Sequence, residues 1–252
     1  MDFTNKVVIV TGASSGIGAA SAMLFAKLGA KLTLVGRDEN RLGIVAKQCE
    51  VANRLQPLCI IIDLTTKGAC ETVVKMTVAT YNKIDVLVNS AGKCLLGSLF
   101  DDAPEIFDEL IDINLRVPYK LSHLALPHLV KTKGNIVNLN TTDNSRVRHG
   151  FLPFSISKAA LDRFTKSAAV ELATEGVRIN SVQPGFTRTN ILKNLQFDEA
   201  EVEHVYQCLS TKINIMHADE IANMIVFIAS DLCPSMNGVL IKHDAGQTLY
   251  FY

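Results

Sequence analysis

Three glycines, Gly12, Gly16 and Gly18, punctuate the stretch from Thr11 to Gly18 (TGASSGIG). It closes a short β-branched run, Lys6 to Val10 (KVVIV), that reads as a buried parallel strand. The residues that follow, Ala19 to Leu28, have helix-forming composition and stop at Gly29. A strand, a glycine turn and a helix in that order make the first half of a βαβ unit. Such a turn aims unpaired N–H groups and the positive end of the helix dipole at a phosphate. Gly12 permits the tight turn, Gly16 a close backbone approach to a pyrophosphate, and Gly18 close packing of helix on strand. Ser14, Ser15 and Ile17 belong to the same cofactor-facing turn.

The spacing is GxxxGxG, neither the GxGxxG of most dinucleotide-binding dehydrogenases nor the GxxxxGK(S/T) phosphate loop. With that spacing the turn resembles the cofactor turn of the short-chain dehydrogenase/reductase family. The likeness points to its 3-oxoacyl-carrier-protein-reductase-like and carbonyl-reductase-like branch. It runs over about residues 4 to 247 and rests on several motifs at mutually consistent spacings. It implies a nicotinamide cofactor, a small carbonyl or alcohol substrate, and a homotetramer, with a homodimer second.

After the second strand, Lys31 to Val35, the chain reads Gly36-Arg37-Asp38. An acid at that strand end binds the 2′-hydroxyl of NAD, and an arginine accommodates the 2′-phosphate of NADP. Gly36 stands where NAD-preferring relatives place the acid, and Arg37 comes next, so NADP(H) is favoured over NAD(H). Asp38 is a mild counter-argument. The resemblance implies further cofactor residues: Asp63 and Leu64 at the adenine, and Asn89, Ala91 and Gly92 against the ribose. The family pattern there is NNAG and this chain has NSAG, so Ser90 is expected to weaken the support. Pro184, Gly185 and Thr187 resemble the turn that holds the nicotinamide carboxamide.

The family's chemistry rests on a helix asparagine, a strand-end serine, and a tyrosine and lysine spaced YxxxK. Here Asn114 (in DINL) and Lys158 are present. The tyrosine position holds Phe154, in FSISK, and counting back thirteen residues from it places Thr141 at the serine. No tyrosine lies between Tyr119 and Tyr206, so a small shift of alignment cannot restore one. Phenylalanine fills the same space and has no proton to give. A general acid/base contributes typically ~10²–10⁴-fold to rate. Three readings stay open: a cofactor-binding scaffold or sensor with lost or residual catalysis (a pseudoenzyme), an oxidoreductase protonated through Thr141, a water on Lys158 or His149, and an interaction protein.

These residues need a scaffold, and the rest of the chain supplies its pattern. Further strands are expected at Leu58 to Ile62, Ile84 to Val88, Asn135 to Leu139, Arg178 to Val182 and Gly238 to Lys242, alternating with helices. The expected helices include one from about Pro104 to Lys131 and one from Phe154 to about Glu175. The fold class is thus α/β: a Rossmann-like, doubly wound, seven-stranded parallel sheet with helices on both faces, in a single domain over 1–252. Residues 188–211 are expected to cover the substrate, and Ile191, Leu192, Leu195 and Phe197 hint at a lipophilic one. Net charge is zero, which argues against nucleic acid or an anionic membrane as partner. Six cysteines without CxxC spacing suggest free thiols, and the scattered histidines give no metal. No signal peptide or membrane span is expected, which suggests a cytoplasmic protein.

Overall fold

The computed structural model describes residues 1–101, 103–142, 149–195, 199–210 and 213–249. Strands are β1 (Val7–Thr11), β2 (Lys31–Gly36), β3 (Leu58–Ile61), β4 (Val86–Asn89), β5 (Asn135–Leu139), β6 (Arg178–Pro184), a two-residue pair β7 (Thr187–Arg188) and β8 (Met216–His217), and β9 (Leu240–His243). Helices are α1 (Gly16–Lys27), α2 (Glu39–Asn53), α3 (Ala69–Tyr81), α4 (Glu105–Ile111), α5 (Val117–Thr132), α6 (Leu152–Ala173), α7 (Glu199–Ser210) and α8 (Ala218–Ala229). Seven strands form one parallel sheet in the order β3-β2-β1-β4-β5-β6-β9, with β7 and β8 pairing apart from it. Strand order reverses between β1 and β4, the place where a doubly wound sheet opens a crevice.

Alternation along the strands divides the interior into two layers. Val8 and Val10 of β1 and Val86 and Val88 of β4 join Phe25, Leu42 and Ile225 on one face. Ile9 and Leu87 point the other way, into a core with Val73, Leu121, Leu129 and Ile136. Both faces are covered, which is why the strands read as continuous apolar runs.

Three departures from the sequence expectation bear on the site. Helix α1 starts at Gly16, not Ala19, so Gly16 and Gly18 form its first turn. Strand β4 starts two residues later than expected because Asp85 is diverted: its Oδ2 accepts the Val7 N–H at 2.7 Å. The long helix before β5 is broken by a π-helical turn, Asp112–Arg116, that contains Asn114. Pro118, in the first turn of α5, has no N–H to give that turn. Phe197, Asp198 and the tail residues 250–252 fall outside the described residues. Among the described residues no helix is long and apolar enough to cross a membrane.

Asp85 is 5 % exposed and also meets Lys83 Nζ at 3.0 Å. Asp85→Ala, which strands the Val7 donor, is expected to cost about 1–3 kcal/mol in urea unfolding. Lys83→Ala, which removes a solvated partner, should cost at most about 1 kcal/mol.

Candidate cofactor cleft and catalytic segment

The turns that follow β1 and β4 face each other across a cleft of about 450 Å³. They touch: a Cβ on Gly12, where φ is +65°, would lie 2.9 Å from Ala91 Cα. The Thr11 hydroxyl ties them further, accepting the N–H groups of Ser90 and Ala91 at 3.0 Å each. At position 90 the backbone N–H makes this tie. Gly12, Ser14, Ser15, Gly16, Ile17 and Gly18 all line the cleft. Ser15 caps α1 in position only; its side chain makes no cap hydrogen bond, and the first turn carries no acid. The first turn of the helix, with no side-chain cap and no acid of its own, thus lines the cleft, a setting that favours an anion. A Cβ on Gly18 would fall 2.4 Å from the Gly12 carbonyl oxygen, so this glycine serves the turn's own closure.

At the ends of β2 and β3, Gly36, Arg37, Asp38, Arg41, Asp63 and Leu64 line the same cleft. A Cβ on Gly36 would crowd the Ser14 side chain at 3.2 Å and the Leu42 side chain at 3.3 Å, so a larger residue there requires these neighbours to shift. Asp38 is engaged at the start of α2. Its carboxylate caps α2 through the Arg41 N–H at 2.9 Å and holds the Arg41 Nε at 2.7 Å. Those bonds keep its carboxyl below the ordinary value, the backbone bond being the largest influence. Arg37 Nη1 lies 3.5 Å from Asp63 Oδ2. Partial burial raises the Asp63 carboxyl, but the Thr65 hydrogen bonds and Arg37 outweigh it and lower it overall.

Ala91 and Gly92 line the inner part of the cleft, whereas Asn89 lies buried beneath and donates to Asn138 Oδ1 at 2.9 Å. Lys158 is 6 % exposed, and its Nζ donates to the Leu139 carbonyl at 3.0 Å. Burial pushes its ammonium from 10.5 down to about 8, against the opposing pull of Cys94 and Asp162. Asn114, fully buried, accepts the Lys93 N–H at 3.0 Å and donates to the Lys93 carbonyl at 2.9 Å and to Ser157 Oγ at 3.1 Å. It clamps the segment after Gly92; Lys93 Nζ in turn pairs with Glu109.

Phe154 sits in the first turn of α6, one helical turn before Lys158, and is 5 % exposed. It packs with Cys94 and Leu110, and Leu95, Ile106, Phe151 and Leu195 border the cluster. The Phe151 ring meets it edge-on at 6.4 Å. Thr141, half-buried at the end of β5, donates its N–H to Asn140 Oδ1 at 3.0 Å. His149 is exposed.

The turn after β6 is held largely by contacts of its own. Pro184 O accepts the Thr142 hydroxyl at 3.3 Å, Gly185 packs on Gln247, and the Thr187 hydroxyl donates to Gly185 O at 2.9 Å. Thr189, Asn190 and Ile191 reach the cleft instead.

Sequence reasoning missed Thr11, Arg41, Gln247 and a polar network behind Lys158. In that network Asn140 donates to Asp162 Oδ1 at 2.6 Å and to the Lys158 carbonyl at 2.9 Å, and Gln183 donates to Asp162 Oδ2 at 2.7 Å. The i,i+4 spacing of Lys158 and Asp162 was a signal that could have found it. Among the described residues no group of three or more His, Cys, Asp or Glu could hold a metal ion.

The fold and cleft define a dinucleotide-binding α/β protein. Residues 12–248 match the family model described as enoyl-(acyl carrier protein) reductase. An uncharacterized oxidoreductase of Thermotoga maritima is 32 % identical over 252 residues, covering 98 % of this chain and 99 % of that one. The 3-oxoacyl-(acyl-carrier-protein) reductase of the same organism is 30 % identical, covering 99 % and 100 %. A solved short-chain dehydrogenase/reductase of unknown function from Caenorhabditis elegans, with cofactor, is 32 % identical and superposes with a TM-score of 0.93 over 99 % of this chain and 97 % of that one. The chain belongs to the short-chain dehydrogenase/reductase family of oxidoreductases, which use a nicotinamide cofactor.

A lysine whose pKa is lower folded than unfolded binds fewer protons in the native state across that window, so folding stability rises with pH there. Relative to Lys158→Met, the wild-type apoprotein should gain roughly 3 kcal/mol between pH 8 and 10.5, read by urea unfolding at several pH values. A flat difference between the two proteins would contradict the buried ammonium.

Proposed function

We propose that this chain binds NADP(H) in preference to NAD(H) and acts as an oxidoreductase on a small carbonyl or alcohol substrate, at a rate held low by Phe154. Two guanidinium groups, Arg37 and Arg41, at the adenosine end of the cleft support the cofactor preference, as does the crowding at Gly36. The first turn of α1 would take the pyrophosphate, Asp63 and Leu64 the adenine, and Ala91 and Gly92 the ribose. Lys158 would hold the nicotinamide ribose, and Thr189 with Asn190 would stand nearer the carboxamide than Thr187. When bound, the cofactor supplies or accepts the hydride. Asn114 keeps the Lys93 backbone in place, and Thr141 orients the substrate oxygen.

The observation that carries the low rate is the apolar packing of Phe154, which brings no hydroxyl to the position beside Lys158. The same observation favours a second reading, a nucleotide-binding scaffold that turns nothing over. Assembly as a homotetramer, with a homodimer second, fits the exposed Phe107, Tyr119 and Val170 on α4, α5 and α6.

Fluorescence titration should show NADPH binding more tightly than NADH, with Arg37→Ala erasing about tenfold or more of that difference. Phe154→Tyr should raise ketone reduction by about 10²–10⁴-fold, and Thr141→Ser should add to it. Brisk wild-type ketone reduction that persists in Thr141→Val and His149→Ala would sink the low-rate reading.

A further inference from the structure

A second cavity, of about 420 Å³, lies between α6 and the edge of the sheet formed by β6 and β9. It shares no lining residue with the nucleotide cleft. We infer that this cavity binds a small anion carrying two or three carboxylate or phosphate groups. The inference goes beyond the function proposed above and does not rest on it.

Ala159, Asp162, Arg163 and Lys166 form one stripe along α6, and all four line the cavity. A helix stripe that lies over a sheet is ordinarily apolar and packs down on it. Here three of the four residues are charged, and a cavity opens between helix and sheet instead. On the sheet side, Gln183 of β6 is the register partner of Lys242 of β9, so both side chains face the cavity together. Gln183 is 3 % exposed and gives the floor a buried polar side chain. Because β9 is the last strand of the sheet, Lys242 stands at an open edge.

Arg163, Lys166 and Lys242 are exposed, and among the described residues none of the three forms an ion pair. Asp162 is the one carboxylate in the lining. Its two oxygens accept the amide groups of Asn140 and Gln183 at 2.6 and 2.7 Å. Positive charge is therefore in excess inside a space of small-molecule size. The guanidinium offers an oxyanion two parallel donors, and the two ammonium groups add point charges on either wall. The chain as a whole has no net charge, so the attraction belongs to this cavity and is not a general property of the surface.

The test is calorimetric titration of the full chain at neutral pH and low salt with citrate, inorganic phosphate and, as an uncharged control, glucose. Citrate should bind saturably and more tightly than phosphate, because it carries more charge, and glucose should not bind. Added salt should weaken the citrate complex. Arg163→Ala, Lys166→Ala and Lys242→Ala should each weaken it by about threefold to fivefold, and the three changes together should abolish it. These side chains are exposed, so folding is not at stake. Lys166→Arg and Lys242→Arg, which keep the charge, should hold the affinity within about twofold. Arg37→Ala and Arg41→Ala, in the nucleotide cleft, should leave citrate binding unchanged. No saturable citrate binding, or binding that survives the triple change, overturns the inference. So does binding that Arg37→Ala or Arg41→Ala removes, since the anion would then sit in the nucleotide cleft.

Discussion

The contact between the backbones at Gly12 and Ala91 is the constraint on which the site depends. Parallel strands β1 and β4 lie side by side, and the reversal of strand order at that point sends their following segments to opposite faces. The two turns must nonetheless meet, and at 2.9 Å no side chain fits between them. Thr11 then fastens the meeting by accepting two N–H groups from one turn while belonging to the other. Contact passes onward from there. Gly92 lies where a Cβ would be 2.9 Å from Asn114 Oδ1 and 3.6 Å from Lys158 Nζ. The turns after β1 and β4, Asn114 and the buried lysine thus form one continuous run of contacts.

A buried ammonium needs compensation, and β5 supplies much of it. Asn135 and Asn138 are buried on this strand, where apolar residues are usual, and Asn140 is buried just past its end. Asn138 links Asn89 of β4 to Thr165 of α6, and Asn140 links the Lys158 carbonyl to Asp162. Each bond satisfies a polar group that would otherwise cost about 1–3 kcal/mol when stranded inside. Together they lock α6 to the sheet and set the position of Lys158 without forming an ion pair to it.

Phe154 separates two properties that a tyrosine combines. Its ring completes the apolar cluster with Cys94 and Leu110, so the first turn of α6 packs well. No hydroxyl comes with it. The cleft is lined by residues elsewhere, in α1 and in the turns after β2 and β4, and Phe154 is not among them.

The periodic apolar runs made the seven strands and most helices readable, because burial on both faces demands it strand by strand. Their ends were less readable: Asp85 shortens β4 through a hydrogen bond to a strand 78 positions away. The glycines at 12, 16 and 18, the arginine at 37, and the phenylalanine and lysine at 154 and 158 were equally visible, since local spacing alone places them. What spacing cannot convey is which of several nearby polar groups a folded neighbour has already claimed. Thr187 and Thr189 look interchangeable in the chain, and packing of β7 on β8 gives the first to Gly185 and the second to the cleft. Asp38 looks like a ribose acceptor until α2 begins at its carboxylate. Residue types and their intervals along the chain thus determined the fold and the inventory of chemistry, because both follow from local geometry. Only the folded molecule decided which oxygen and nitrogen atoms stay available, because hydrogen bonds between distant segments settle that.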